Sequence, residues 1–195
     1  MATALQHNAT LITLDLRGTF LGDSGASRLA TALQHNATLT TLHLANDSIG
    51  DSGVSALAKA LQYNSTLTFL NLSSNSIKAS GANALGRAPQ DNSFLTNLFL
   101  SKNTIDDSGA TGLATALQFN STLTVLDLSS NSIGELGASA LALALQCNSS
   151  LTTFNFTFPS DLDPKVESCF NRNKANTFKK SCTLFELSLP FLCLV

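Results

Sequence analysis

The chain has 195 residues, of which 44% are hydrophobic and 12% are charged, and its formal net charge at pH 7 is -2. This apolar content is enough for one sizeable hydrophobic core, so we expect a folded chain. A nucleic-acid-binding surface needs clustered lysine and arginine, and the charge balance therefore predicts no nucleic-acid partner.

The cysteines and the apolar runs bear on the cellular compartment. All four cysteines lie in the last quarter of the chain and none form a CxxC pair, which indicates neither a disulfide framework nor a zinc site and fits a reducing compartment. The longest unbroken run of alanine and leucine, residues 140–145, is far shorter than the roughly 20 residues that span a bilayer. The N-terminus also lacks a basic and apolar signal sequence, so we expect a cytoplasmic protein without a membrane span.

Leucine recurs with a period of 28 residues, and positions separated by this period form a column. The first column holds Leu11, Leu39, Leu67, Leu95, Leu123 and Leu151. Each of the first five repeats continues as LxxLxL, and phenylalanine replaces the last two leucines in the sixth. Alternation of apolar and polar residues at the end of this motif predicts a short β-strand with one buried face.

A turn is predicted after each strand. Its column holds Thr19, Asp47, Asn75, Asn103 and Asn131, and two residues later each repeat has leucine or isoleucine. We expect these side chains to bond to neighbouring backbone groups in the turn, since buried polar groups need such partners. This structural role is favoured over a row of ligands for a bound group.

The second half of each repeat has helical periodicity. In residues 107–120, Gly109, Leu113 and Leu117 lie at helical spacing, which predicts an amphipathic helix. Three helices begin with aspartate followed by serine, at Asp23, Asp51 and Asp107. We expect their carboxylates to accept hydrogen bonds from the free amides of the first helical turn.

Asparagine closes every repeat after the helix. The column holds Asn8, Asn36, Asn64, Asn92, Asn120 and Asn148. Asparagine tolerates the left-handed conformation that often stops a helix, so these residues are predicted to be left-handed helix stops. Most of the eight N-x-S/T triplets arise from this column, and we therefore interpret them as structural rather than as glycosylation sites.

Repeats of a strand, a turn and a helix stack into a curved solenoid. Neighbouring strands lie about 4.8 Å apart and neighbouring helices about 8–10 Å apart, so the stack bends with the strands inside. No repeat can bury its own leucine face alone, and each neighbour completes the core. The predicted fold is an α/β solenoid with a parallel sheet inside the arc and helices outside.

The repeat resembles a known class. LxxLxLxxNxI followed by a Gly-Ala-x-x-Leu-Ala-x-Ala-Leu helix is similar to the ribonuclease-inhibitor type of leucine-rich repeat, and most resembles the C-terminal repeats of NOD-like receptors. The resemblance covers residues 1–158. It implies a leucine-rich-repeat horseshoe that binds another protein on its concave sheet face, and it does not identify that protein.

Three segments are predicted along the chain. Residues 1–158 form the solenoid, with half a helix, five full repeats and a sixth strand. Residues 159–175 form a capping helix whose covering face includes Val166, Cys169 and Phe170, and residues 176–195 are an apolar tail that we expect to be irregular. The half helix at the start is either a minimal cap or a sign that the chain is cut from a longer repeat array.

The third full repeat is irregular. Gly86 and Pro89 occur inside its predicted helix, and because proline has no amide hydrogen we expect this helix to end about a turn early. Phe94 replaces the usual threonine just before the next strand. We expect its ring to fill the gap that the shortened helix leaves.

The concave face is predicted from the residues that flank the buried leucines of each strand. The candidate partner-binding residues are Asp15, Arg17, Thr41, His43, Phe69, Asn71, Asn97, Phe99, Val125 and Asp127. Phe69 and Phe99 lie one repeat apart on a diagonal. They form either an aromatic anchor, which is typical of the energetic centre of an interface, or two isolated apolar surface residues.

Catalytic, metal and cofactor sites are not indicated. His7 and His35 share an outer column, where neighbouring helices lie about 10 Å apart, too far to share a metal with bonds of about 2.0 Å. His43 has no serine or cysteine nucleophile in an activating motif, and the recurring glycines form no phosphate-binding motif. We expect neither catalysis nor a bound metal or cofactor.

The predicted function is a non-catalytic protein–protein interaction module that is monomeric and binds its partner on the concave face. The alternative is a small-GTPase regulator, because Ran GTPase-activating protein has the same class of repeat. That family's activity goes with a strongly acidic C-terminal region. Here the C-terminal region carries Lys174, Lys179 and Lys180, which disfavours the alternative.

Overall fold

The computed structural model describes residues 2–157 together with Pro164 and Val166, apart from the side chains of residues 88–91. The strands are β1 Thr13–Asp15, β2 Thr41–His43, β3 Phe69–Asn71, β4 Asn97–Phe99, β5 Val125–Asp127 and β6 Thr153–Asn155. The helices are α1 Ala2–His7, α2 Gly22–Leu33, α3 Asp51–Tyr63, α4 Ala79–Asp91, α5 Asp107–Leu117 and α6 Glu135–Cys147.

The predicted capping helix and apolar tail lie outside the described residues, except at Pro164 and Val166. Both are helical, and Val166 packs partly buried against the core. In the part of the chain that the structure describes, every helix is too short or too polar to cross a membrane.

The six strands form one parallel sheet in sequence order. Each strand residue pairs with the residue 28 positions further along, as Leu42 does with Leu70. A constant register follows because each repeat contributes the same number of residues to strand, turn and helix. The predicted α/β solenoid with a parallel sheet is therefore confirmed.

The core lies between the sheet and the helices. The middle residues of β2 to β5, among them Leu42, Leu70 and Leu98, are buried. Their equivalents in the edge strands, Leu14 and Phe154, are only half buried, because an edge strand has a neighbouring repeat on one side alone. The core is thus shared between repeats, as the sequence pattern predicts.

Each aspartate at a helix start caps the next helix along the chain, whereas the sequence predicted that it caps its own helix. Asp51 Oδ1 accepts hydrogen bonds from the amides of Lys78 and Gly81, at 2.8 and 2.9 Å, which lie at the start of α4 rather than of α3. Asp23 bonds the start of α3 in the same way, as Asp107 bonds that of α6. The sequence prediction was wrong because stacking places each carboxylate over the next helix start.

Glycine is required where these carboxylates bind. A Cβ atom at Gly53 would lie 2.6 Å from Asp23 Oδ1 and 2.9 Å from Ile49 Cγ2. The glycine column therefore makes room for the aspartate of the preceding repeat as well as for close packing of helix against strand.

One helix start is capped from within its own repeat. The aspartate column has Ala79 in the repeat before α5, so no carboxylate reaches α5 from that position. Asp106, the residue before α5, accepts a hydrogen bond from the Gly109 amide at 3.0 Å instead. A local cap thus replaces the missing cap from the neighbouring repeat.

The helix-end asparagines are not left-handed stops. Asn64 has φ -80° and ψ 125°, an extended conformation, and Asn148 is nearly the same. The Asn64 side chain donates to the carbonyls of Leu33 and Asn36 in the preceding repeat, at 2.8 and 3.0 Å, and accepts from the Leu67 amide. The prediction was wrong because this amide links two repeats across the stack.

The left-handed residues lie in the turns after the strands. Ser74, Lys102 and Ser130 have φ between 55° and 57°, and each directly precedes an asparagine of the turn column. Asn75, Asn103 and Asn131, called the turn ladder below, donate to the carbonyls of the residues directly after the strands of their own and the preceding repeat. Their side-chain oxygens accept from backbone amides of the preceding repeat. This confirms the predicted structural role.

Helix α4 does not end early. It extends over Ala79–Asp91, as long as α3, because one proline removes a single amide donor while α4 is held between α3 and α5. Packing against neighbours contributes more to a helix than local propensity does. The ring of Phe94 is 45% exposed, so the prediction that it fills a gap was also wrong.

Candidate protein-binding surface

The concave face is built from the residues on either side of each buried strand centre. In β2, β3, β4 and β5 the middle residue is buried and both flanking residues are partly exposed. A strand alternates its side chains between the two faces, so the flanking residues point away from the helices. All ten candidate residues lie on this face or at its margin.

Three rings form a continuous row across this face. The ring centroids of Phe69 and Phe99 are 5.0 Å apart with an interplanar angle of 36°, and those of His43 and Phe69 are 4.9 Å apart at 51°. These separations lie in the range of favourable aromatic pairs. His43, Phe69 and Phe99 are called the aromatic row below, and the two phenylalanines are not isolated from each other.

The part of His43 in this row is a feature that sequence reasoning missed. The sequence predicts that His43 lies on the concave face, but it does not predict a contact with Phe69. In the sheet, Thr41 pairs with Phe69 and His43 pairs with Asn71. His43 therefore reaches Phe69 diagonally. Its Nδ1 atom is buried without a hydrogen-bond partner among the described residues, which leaves one polar atom beside the rings.

The charge at the N-terminal end of the face is internally paired. Arg17 donates from Nε and Nη2 to the carboxylate of Asp15, with its shortest contact at 2.7 Å. The Arg17 backbone amide also donates to Asp15 Oδ1 at 3.1 Å. The side-chain hydrogen bonds from Arg17, followed by this amide, lower the pKa of Asp15 from 3.8 to about 2.

Asp127, the last residue of β5, carries a charge on the other side of the aromatic row. Its Oδ1 atom accepts from the amide and the hydroxyl of Ser129, at 2.9 and 2.6 Å. Asp127 pairs in register with Phe99 on the neighbouring strand. The aromatic row thus ends next to a carboxylate.

The remaining candidates are polar or small. Asn71 accepts from the Ser73 amide at 2.9 Å, and Asn97 accepts from the Thr96 hydroxyl at 2.7 Å. Thr41 and Val125 are partly exposed strand residues. A shelf of short hydroxyl side chains borders them, since Ser101 and Ser73 are joined by a 3.0 Å hydrogen bond. The sequence carries a signal for this shelf, because Ser73, Ser101 and Ser129 recur at 28-residue spacing.

The other predicted surface positions lie away from this face. Tyr63 and Phe119 occupy the same outer column as His7 and His35, and each is 73% exposed. His7 Nδ1 lies 3.0 Å from the Thr3 carbonyl oxygen within its own helix. Residues 2–157, with Pro164 and Val166, contain no group of three histidine, cysteine or acidic side chains able to hold a metal ion.

Sequence comparison decides the family. The family described as "Leucine Rich repeat" matches residues 7–30, 35–58, 63–86, 91–114 and 119–142. These segments cover more than half of the chain, and each begins 28 residues after the last. The chain belongs to the leucine-rich-repeat family. A comparison of this leucine-rich-repeat protein with curated proteins gives no match.

Solved structures share the fold. The structure titled "Leiomodin-1 Actin-Binding Site 2 (ABS2)" is 20% identical with a TM-score of 0.59, covering 89% of this chain and 85% of that one. The tropomodulin C-terminal domain from Caenorhabditis elegans is 13% identical with a TM-score of 0.57, covering 89% of each chain. The TLR13–ssRNA13 complex is 23% identical with a TM-score of 0.50, covering 84% of this chain and 21% of that one. At these identities the likeness shows the fold alone.

Proposed function

We propose that this leucine-rich-repeat protein is a non-catalytic protein-binding module whose partner docks on the concave face over the aromatic row. The observation that carries the proposal is the contact of Phe69 with both Phe99 and His43 on a partly exposed sheet face. Exposed aromatic side chains on a rigid support are common energetic centres of interfaces.

The rigidity of the face supports this proposal. The strands that carry the aromatic row, β2 to β4, are hydrogen-bonded on both sides, and the turn ladder fixes the turns that follow them. A side chain held in place before binding loses little conformational entropy when a partner docks. The aromatic row therefore favours binding over a mobile surface of the same composition.

The proposal extends to the class of repeat, the oligomeric state and the cellular compartment. The proposed repeat class is the ribonuclease-inhibitor type, most like the C-terminal repeats of NOD-like receptors, and the proposed state is a cytoplasmic monomer. The likeness to the leiomodin-1 structure does not make actin the partner of this chain. The small-GTPase alternative stays a prediction, which assays of GTP hydrolysis by purified small GTPases would test.

The test compares two pairs of exposed aromatic residues. The Phe69→Ala/Phe99→Ala variant removes the centre of the aromatic row, and Tyr63→Ala/Phe119→Ala removes two exposed rings from the outer column as a matched control. Proteins captured by wild type are identified, purified and titrated against all three chains. We expect affinity to fall at least about tenfold for the concave variant alone.

The affinities are interpreted together with the thermal stability of each variant. Melting curves of the three chains show whether each variant is folded at the temperature of the titration. Equal affinity of a folded Phe69→Ala/Phe99→Ala variant for the partner would contradict the proposal. A loss confined to Tyr63→Ala/Phe119→Ala would place the interface on the outer side instead.

A further inference from the structure

The concave face has few charged side chains, and they differ in whether they form an ion pair. The concave face comprises the first and last residue of each strand and the residue two positions after the strand. Among the described residues at these positions, Asp15, Arg17 and Asp127 are the charged side chains apart from histidine. Asp15 and Arg17 neutralise each other through two side-chain nitrogens. The net charge that this face presents beside the aromatic row is therefore the carboxylate of Asp127.

Asp15 and Asp127 occupy the same column four repeats apart. Each carboxylate accepts a hydrogen bond through Oδ1 from the backbone amide two residues later, at 3.1 Å for Asp15 and 2.9 Å for Asp127. The two carboxylates are thus anchored to the strand end in the same way. The side chain two residues later differs, because it is Arg17 in the first repeat and Ser129 in the fifth.

Within the part of the chain that the structure describes, this difference leaves Asp127 Oδ2 without a hydrogen-bond donor. The Arg17 guanidinium donates to both carboxylate oxygens of Asp15. In contrast, the two hydrogen bonds that Ser129 makes to Asp127 both end on Oδ1, and the serine side chain is too short to reach across the carboxylate. The Asp15–Arg17 pair shows which group fits beside a carboxylate in this column.

The position of the Asp127 carboxylate relative to the rings determines how far apart a cation and an apolar group must lie in a ligand. Asp127 and Phe99 are direct neighbours in register, about 4.8 Å apart between strands, and Phe99 lies 5.0 Å from Phe69 between centroids. An extended peptide advances about 3.3 Å per residue. An apolar side chain over the rings and a cation at Asp127 therefore belong to residues within about three positions of each other.

We propose that the partner is a protein segment that presents an arginine within a few residues of an aromatic or aliphatic side chain. The guanidinium binds Asp127 as Arg17 binds Asp15, and the apolar side chain packs on Phe69 and Phe99. Arginine suits the site because its planar fork pairs with both oxygens of a carboxylate and also stacks favourably on the nearby ring of Phe99. This inference rests on the proposed function, since it names the chemistry of the partner at the same face.

The test uses a displayed library of random peptides selected on the full chain. Wild type is compared with Asp127→Asn, which removes the charge, and with Ser129→Arg, which supplies the arginine from the same strand and fills the site. Glu135→Gln is the matched control, because it removes one exposed acidic charge at the start of α6. Melting curves establish that each variant is folded.

We expect peptides selected on wild type and on Glu135→Gln to share an arginine near an apolar residue. Selection on Asp127→Asn or on Ser129→Arg is expected to lose the arginine and retain the apolar residue. A synthetic peptide with the wild-type consensus is expected to bind Asp127→Asn about tenfold more weakly than wild type.

The results separate this inference from the proposed function. If no arginine is enriched on wild type, or if its enrichment persists on Asp127→Asn, the inference is overturned, while peptides that still need Phe69 and Phe99 support the concave site. If the selected peptides bind Phe69→Ala/Phe99→Ala as tightly as wild type, the proposed site itself fails, whatever their arginine content.

Discussion

The turn ladder and the concave face use the same strands in opposite ways. In the turn ladder the side chain is asparagine in three successive repeats, and each amide bonds to backbone groups of its own and the preceding repeat. In the columns that contain Phe69 and Phe99 the side chain varies between repeats, and the rings and the carboxylate of Asp127 remain partly exposed. The repeated asparagines therefore hold the stack together, and the varied positions around the rings are free to recognise a partner.

The largest expected effect breaks the turn ladder. Asn103 is 6% exposed, and its side chain bonds to the Leu72 and Leu100 carbonyls and the Ile77 amide. Asn103→Ala leaves these backbone groups unpaired and is expected to lower the free energy of unfolding by about 1–3 kcal/mol. Urea unfolding measures the change.

The control for this prediction is an asparagine of the same repeat on the concave face. Asn97 is partly exposed and accepts a hydrogen bond from Thr96 beside it, so Asn97→Ala is expected to change stability by less than about 0.5 kcal/mol. Equal destabilisation by Asn97→Ala and Asn103→Ala would contradict the distinction between the ladder and the face.

A smaller effect is expected at the cap that joins two repeats. Asp107→Ala removes the acceptor for the Gly134 and Gly137 amides and is expected to cost about 0.5–2 kcal/mol. Hydrogen exchange should accelerate at the start of α6 in this variant. Asp106→Ala, its sequence neighbour, should accelerate exchange at Gly109 in α5 instead, and faster exchange at Gly109 in Asp107→Ala would show that Asp107 caps its own helix.

A gain in stability is expected where the turn ladder is imperfect. Asp47 occupies the column of the ladder asparagines, is fully buried, and has its Oδ2 atom without a hydrogen-bond partner among the described residues. By analogy with Asn75, an amide nitrogen there would donate to the Leu16 and Leu44 carbonyls. Asp47→Asn is expected to raise the free energy of unfolding by about 0.5–1.5 kcal/mol.

The reverse substitution is the control for Asp47. Asn75→Asp places an oxygen where a donor faces the Leu44 and Leu72 carbonyls, and it is expected to destabilise the chain. Denaturation by urea compares the two variants with wild type at neutral pH. A lower stability of Asp47→Asn than of wild type would mean that the turn of the second repeat needs the carboxylate.

The smallest effect is a dependence of stability on pH. Burial alone would raise the pKa of Asp23, but hydrogen bonds from Ser52 and from the amides of Gly50 and Gly53 lower it below its usual 3.8. A carboxylate with a lowered pKa stabilises the folded chain above the usual value, and this contribution disappears as the pH falls through the folded pKa. The stability advantage of wild type over Asp23→Ala should therefore shrink in acid, and an advantage that grows would contradict the cap.

The sequence predicts the fold because leucine recurs every 28 residues in the same columns. It misassigned Asp51, Asn64 and Pro89 because the deciding contacts come from the adjacent repeat, and a column shows which residue types recur without showing which repeat they contact. The sequence did contain one signal for the local cap of α5. The repeat that follows Ala79 has an acidic residue, Asp106, just before its helix.

The candidate site was predictable in part. Strand alternation is enough to assign Phe69, Phe99 and Asp127 to the concave face. The contact between rings, the inclusion of His43 and the hydrogen bonds of Asp127 depend on side-chain rotamers and on distances across the sheet. These depend on how neighbouring repeats stack against each other, which no single repeat determines.

The most direct test of the central claim is a map of the bound surface. Isotope-labelled protein is titrated with the purified partner or with a selected peptide, and chemical-shift changes are recorded for each backbone amide. The largest changes are expected in β2 to β5, which carry the aromatic row and Asp127, and they are expected to vanish in Phe69→Ala/Phe99→Ala. Largest changes in the outer helices, around Tyr63 and Phe119, would contradict it.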